Sequence, residues 1–180
     1  MPPAMAANSR RHQHANTMSI REKVLANGSV RRVQAALEAA GLSTDIIIAE
    51  EATPSSQAAA DKHGCAVAQI AKSVIFHAPR SDRVVLVITS GANRVDERFV
   101  VEAIGESIGR ADAAFVKART GFSIGGVAPI GHLTPPLALF DQTLLGFDLI
   151  YPAAGHPNTG FAVAPGALAA AAQARILRVS

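Results

Sequence analysis

The chain has 180 residues, 49% hydrophobic and 17% charged, with a formal net charge of +3 and a pI of about 9.5. These values fit a globular domain with its own core and exclude a disordered chain or a fold that needs metal for stability. The single cysteine, Cys65, rules out an intrachain disulfide and fits a reducing compartment such as the cytoplasm.

Residues 1–19 read as a disordered basic tail or leader, ahead of a single domain over residues 20–180. Arg10, Arg11, His12 and His14 interrupt any apolar run there, so no secretory signal is expected, and Met18 is a candidate start. No stretch approaches the ~18 apolar residues of a membrane span. Arg21, Lys23, Arg31 and Arg32 add to the basic excess, which suits a polyanionic partner or simply a solvated surface. Ser29 is expected to cap a helix through Ala40, with Val30, Val33 and Leu37 as its apolar stripe and Gly41 as its stop. Within Asp45 to Ala49, Ile46-Ile47-Ile48 reads as a buried strand. Thr53-Pro54-Ser55 opens a second helix through His63, closed by Gly64.

Ile70 to His77 and Arg83 to Thr89 are predicted strands joined by a hairpin loop at Pro79-Arg80-Ser81-Asp82. Helices follow over Asp96 to Ile104 and Ala111 to Arg119, with Asp96 and Asp112 as caps. Short strands are expected at Pro136 to Phe140, Phe147 to Tyr151 and Gly160 to Ala164. A helix from Pro165 to Ala174 and a strand from Arg175 to Val179 close the chain. The order lacks a strict βαβ rhythm, which predicts an α/β or α+β domain with a mixed sheet curled toward a barrel.

Two features point to chemistry. Lys72 lies at the start of an apolar strand, Gln69-Ile70-Ala71-Lys72-Ser73-Val74-Ile75-Phe76, where an amine needs solvent or an anionic partner. It is either a strand-end lysine reaching water or a cation aimed into a pocket. The stretch Thr120 to His132 carries Gly121, Gly125, Gly126 and Gly131, which permit close backbone approach to a ligand and free N–H groups for an oxyanion, or simply make a tight turn. It is neither a P-loop nor a dinucleotide fingerprint.

Gly121-Phe122-Ser123-Ile124-Gly125 matches the nucleophile-elbow spacing, but a helix precedes it and Gly126 and Pro129 break any helix after it, so Ser123 reads as a loop serine. Asp96 is a cap rather than an acid. His156, in a turn of small residues, is either a hydrogen-bonding pocket residue or a surface histidine. Histidine spacing suits no metal site, Cys65 sits among apolar neighbours, and aromatics make up only 4% of the chain, too few for base stacking.

With these segments in order the chain resembles the YbaK/EbsC family, the prolyl-tRNA-synthetase-associated editing domains. The resemblance rests on Ser55-Ser56 and the helix after it, Gln69 to Phe76, Gly91 to Asp96, Thr120 to His132, Phe140-Asp141 and Ala153-Ala154-Gly155, spread over residues 29–178. It implies a mixed sheet or distorted barrel flanked by helices, and a trans-acting deacylase that hydrolyses the ester of mischarged tRNA, often tRNA for proline. It implies little side-chain chemistry, with a substrate hydroxyl or side chain assisting the attack.

On this resemblance Lys72 holds the phosphate or ribose end, and backbone groups near Gly125, Gly126 and Gly131 bind the ester carbonyl or its oxyanion. Ala154, Gly155 and His156 shape the amino-acid pocket, with Thr120, Gly121, Phe122, Ile124, Pro129 and His132 as further substrate-binding residues. No metal or other cofactor is implied. The expected partners are the acceptor end of an aminoacyl-tRNA and prolyl-tRNA synthetase, with monomer and homodimer both open. Relatives that clear alanine carry a His-Pro pair in a late strand with an asparagine after it, and those that clear cysteine carry Ala-Gly. This chain has Ala154-Gly155 and, in the following turn, His156-Pro157-Asn158, which leaves the amino acid open. The competing expectations are a non-catalytic module that binds a tRNA end or small metabolite in the same pocket, and a regulator that docks through residues 10–32.

Overall fold

The computed structural model describes residues 18–180, so the expected tail lies, for residues 1–17, outside the described residues. A short helix, α1 (Ile20–Leu25), comes first. Ser19 and Glu22 form a reciprocal capping box at its start. Helix α2 (Gly28–Ala39) follows, and its N-cap is Asn27 rather than Ser29. Asn27 Oδ1 accepts from the Ser29 and Val30 amides, which frees Ser29 Oγ to donate to the Gly121 carbonyl at 3.1 Å. The expected stripe of Val30, Val33 and Leu37 is fully buried.

The triple isoleucine forms only a two-residue strand, β1 (Ile47–Ile48), with Ile46 buried and Ile47 exposed. Helix α3 (Ser56–His63) has Ser55 as cap and ends at Gly64 in the left-handed conformation, as its sequence signals require. Strands β2 (Ile70–Ala78) and β3 (Arg83–Ser90) pair antiparallel as a hairpin. Helix α4 (Glu97–Ile104) is capped by Asp96. After the short strand β4 (Gly109–Arg110) comes α5 (Ala113–Thr120), capped by Asp112.

The second half is less regular than its composition suggests. Strand β5 (Leu137–Asp141) is followed by a 3₁₀ turn over Gln142–Gly146, so Phe147 to Tyr151 shrinks to β6 (Tyr151–Pro152). Gly160 to Ala164 likewise shrinks to β7 (Thr159–Gly160), paired with β1. Helix α6 (Pro165–Ala171) stops three residues early, where Gln173 takes a positive φ of 50°. The last strand is β8 (Arg175–Leu177).

The main sheet runs β4-β2-β3-β5-β8, with β6 sharing the outer edge of β2. It mixes antiparallel and parallel pairs and stays open rather than closing into a barrel. Both faces are covered. Leu86, Ile88, Ala138 and Phe140 belong to a core with α2 and α6, while Val85, Val87 and Leu139 pack with Val100 of α4 and with Val179. Burial on both faces explains why β3 reads as a continuous apolar run.

One gap in this sheet matters for the site. Strand β6 pairs with β2 at Ile70 and Ala71, and β4 pairs with it at Phe76 and His77. Between them, the outer edge of β2 over residues 72–75 has no neighbouring strand among the described residues.

Candidate active site

A cavity of about 380 Å³ opens on that gap, lined by Lys72, Ser73, Val74 and Ile75 of β2. The start of α3 (Ser55, Ser56), His63 at its end, Ile124 and Gly125 of the glycine-rich loop, and Tyr151 complete the principal walls. The backbone polarity of the gap follows from strand geometry. The Ile70 carbonyl accepts from the Gly91 amide at 2.7 Å, so the peptide groups of even-numbered β2 residues face β3. Alternation then turns the Ser73 N–H and C=O toward the cavity.

Lys72 is half-buried, and its amine donates to the Asn93 carbonyl at 2.7 Å rather than to any group of the glycine-rich loop. Asn93 is itself fixed: its amide donates to Asp141 Oδ2 at 2.9 Å and to Thr143 Oγ1 at 3.2 Å. Asp141, buried at the end of β5, also accepts from Thr89 Oγ1, the Ser90 amide and the Thr143 amide. Burial alone would raise the Asp141 carboxyl, but donors from Asn93, Thr143 and Ser90 outweigh it and hold its pKa below the usual value. Burial lowers the pKa of the Lys72 amine, and the Asp141 charge partly offsets this. The result is a pre-positioned cation whose orientation depends on a buried carboxylate behind it.

The glycine-rich loop divides into parts with different surroundings. Thr120 Oγ1 donates to the Val116 carbonyl and accepts from the Phe122 amide, while Phe122 itself is fully buried. Gly121 caps α5 with a φ of +79°. In the middle, exposed Ile124 and Gly125 reach the cavity. The Gly126 N–H is engaged by the Ser123 carbonyl at 3.0 Å, and a Cβ on Gly126 would lie 2.9 Å from the His156 carbonyl carbon. Pro129, Gly131 and His132 line a separate cavity of about 700 Å³ against Ala36 of α2 and Ala172, so the structure does not bring them to Lys72.

The third expected wall is arranged differently from its motif. Ala154 is buried in the core, and Gly155 is packed so closely on α2 that a Cβ would lie 2.9 Å from the Ser29 carbonyl. His156 turns Nδ1 to Asn158 Oδ1 and does not line the cavity, whereas Ala153 and Pro157 beside it do. Ser123 is exposed on the turn after α5, without the strand-to-helix elbow a nucleophile needs. Burial raises the Cys65 thiol, in keeping with packing rather than reactivity.

Sequence reasoning missed His63, Tyr151, Asn93 and Asp141 as a working set. His63 stacks on Tyr151 with ring centres 5.0 Å apart and planes at 18°, a contact between residues 88 positions apart that no local pattern reveals. Asp141 left a trace, because Asp-x-Thr after a strand is the pattern of a side chain capping its own turn.

The aminoacyl-tRNA editing domain description matches residues 50–171, and the chain belongs to that family. The observed sheet and helices are those of the YbaK-like editing fold. A solved structure proposed to be a trans-editing enzyme for prolyl tRNA synthetase is 34% identical, with a TM-score of 0.80 over 86% of this chain and 98% of that one. Hypothetical protein APE2540 is 26% identical, with a TM-score of 0.76 over 82% of this chain and 98% of its own. Uncharacterized protein YwhH of Bacillus subtilis (strain 168) is 28% identical over 121 residues, 67% of this chain and 76% of its own length. No helix among the described residues is long and apolar enough to cross a membrane.

Proposed function

We propose that the protein is a trans-acting aminoacyl-tRNA deacylase that hydrolyses the ester of mischarged tRNA, with tRNA for proline carrying cysteine, alanine or another small amino acid as its substrate class. The observation that carries this reading is the oriented Lys72 ammonium, held by Asn93 and Asp141 at a small cavity that also presents a glycine-loop backbone. The volume of about 380 Å³ lies near the lower end of ligand pockets, roughly 300–1,000 Å³. The editing-family membership and the prolyl-tRNA-related neighbour support the choice of substrate.

The chemistry asked of the protein is positioning and charge stabilisation. As water or a substrate hydroxyl attacks the ester carbon, negative charge builds on the carbonyl oxygen. Lys72 and the Gly125 N–H, which makes no main-chain hydrogen bond among the described residues, are the groups available to meet it. Prolyl-tRNA synthetase is the proposed partner for delivery of the substrate.

A non-catalytic module that binds a tRNA end is the competing reading, favoured by the Lys72 amine already being bonded to a main-chain carbonyl. One experiment separates the two: purified protein against tRNA(Pro) charged with alanine, cysteine, serine or threonine. The expected result is hydrolysis of at least one ester, slowed ~100-fold or more in Lys72→Ala with the fold retained by circular dichroism. Binding of all four without turnover would establish the module instead.

A further inference from the structure

The outer edge of β2 is left unfinished by the fold. On that edge β6 stops at Ala71 and β4 stops at Phe76. At about 3.3 Å per residue, the stretch between them over residues 72–75 spans roughly 13 Å. That is shorter than a typical strand of about 17–20 Å, and long enough for one aminoacyl unit with its ester.

Within this gap the main chain of Ser73 faces outward. The Ile70 carbonyl accepts from the Gly91 amide, and the register sets Lys72 opposite Thr89 and Val74 opposite Val87, so the even-numbered residues engage β3. Ser73 therefore turns its N–H and C=O away from β3, and neither has a main-chain partner among the described residues. Ser73 is half-buried while its Oγ is enclosed, so its accessible surface lies on the main chain and Cβ. The residue thus meets the cavity through its backbone and not through its hydroxyl. An open main-chain pair of this kind calls for water or a ligand.

The geometry of a sheet says which ligand one such pair suits. In an antiparallel ladder, two facing residues exchange both bonds, each N–H donating to the other's C=O. An aminoacyl ester carries the same two groups on one residue: an α-ammonium that donates and an ester carbonyl that accepts. It can sit opposite Ser73 as a strand of one residue, in the direction that β4 already runs. Directly opposed residues share a face of the sheet, so its side chain falls on the Ser73 face. Ala71 and Ile75 occupy that face, and with Val116 and Val127 they belong to one apolar cluster and line the cavity. Such walls are in keeping with a short aminoacyl side chain.

We propose that the main chain of Ser73 binds the aminoacyl group, its C=O accepting from the α-ammonium and its N–H donating to the ester carbonyl. The inference rests on the deacylase reading and deepens it. The N–H adds a fixed donor to Lys72 and the Gly125 N–H where charge develops in the reaction. The C=O makes a free α-amino group a condition of recognition, which separates aminoacyl esters from simple acyl esters.

The test has two arms. In the first, the full chain is assayed on tRNA(Pro) carrying alanine, cysteine, serine or threonine, and on the des-amino ester of whichever is cleaved, propionyl against alanyl being the simplest pair. Each rate is divided by the spontaneous hydrolysis rate of the same ester, because the ammonium itself activates the carbonyl. The des-amino ester is expected to lose ~30-fold or more in kcat/KM. In the second arm Ser73→Pro is compared with Ser73→Ala, since both lack the hydroxyl and only the proline lacks the N–H. A strand edge accepts proline where the N–H is unpaired. The expected result is a ~100-fold lower kcat with KM nearly the same. Thermal melting checks the fold. If Ser73→Pro does not fold, exchange of Ser73 for its α-hydroxy analogue, which puts an oxygen in place of the N–H, is compared with the unmodified chain and decides instead. Equal normalised rates on the two esters, or no fall in kcat when the N–H is removed, overturns the inference while the deacylase reading stands. Failure to hydrolyse any aminoacyl ester overturns the deacylase reading, and this inference with it.

Discussion

At its two ends the glycine-rich segment is fastened to α2, whereas its middle faces the cavity. Arg32 of α2 makes both attachments: its guanidinium donates to the Gly121 carbonyl at 3.0 Å and to the Gly131 carbonyl at 3.2 Å, and it lies 5.2 Å from the Phe122 ring centre. Gly131 and Gly155 both sit against the α2 backbone. Gly125, by contrast, has φ +94° with only the Pro157 ring at 4.0 Å from a built Cβ. Glycines in one motif thus answer to different demands. Those at the ends allow close packing of backbone on a helix, and the one in the middle leaves backbone open to a ligand.

Substitutions can break that contrast. The largest effect on stability is expected from Gly155→Ala, where a positive φ of 94° and contact with the Ser29 backbone act together. A loss of roughly 3–4 kcal/mol is expected in denaturant unfolding, with most of the activity lost as the turn shifts. Arg32→Met is expected to cost about 2 kcal/mol, because the Gly131 carbonyl loses its side-chain donor while Ser29 Oγ and Lys117 Nζ still serve Gly121. Gly125→Ala should behave in the opposite way. Only backbone strain of about 1–2 kcal/mol opposes it, while single-turnover deacylation should fall by ~10-fold or more. Equal stability and activity losses at Gly125 and Gly155 would erase the distinction between the two parts of the loop.

The smallest expected effect is on pH dependence, and it compares the two cavities. Burial pushes His63 in one and His132 in the other below the ordinary value of 6.5. On acidification the unfolded chain takes up protons at these sites before the folded chain does, so stability falls as pH drops from 6.5 through the folded values. The slope is bounded at about 1.4 kcal/mol per pH unit for each histidine. Asp141, with its pKa below 3.8, adds a second loss only at lower pH, because its stabilisation is present above 3.8 and disappears as pH falls through its folded value. Denaturant unfolding at pH 7.5 and 5.5 should show the histidine contribution, reduced in His63→Phe. An unchanged pH difference in that variant would place the effect elsewhere.

Local signals were legible wherever a residue acts on its own neighbours. Asp96 and Asp112 cap the helices they were expected to cap, and Gly64 ends α3, because capping depends on side chains within three or four positions. The same local reasoning failed where two signals lay close together: Asn27 precedes Ser29 and takes the cap of α2. It also failed at β6 and β7, where composition favours strands but the sheet offers pairing to only two residues each. Lys72 was visible as a charge out of place in an apolar strand. The groups that orient it, Asn93 and Asp141, were not, because 48 residues separate them along the chain.

By itself the sequence determined the hairpin of β2 and β3, the caps of α4 and α5, the stop of α3 and the presence of a cation near a glycine-rich loop, since each follows from local periodicity, capping or an unusual residue in its setting. Only the tertiary structure decided which loop backbone meets the cavity, which glycines serve packing, and that Ser73 and His63 line the same cavity as Lys72. Those outcomes depend on where β4 and β6 stop along the edge of β2. Pairing between distant strands sets that gap, and no short window of sequence contains it.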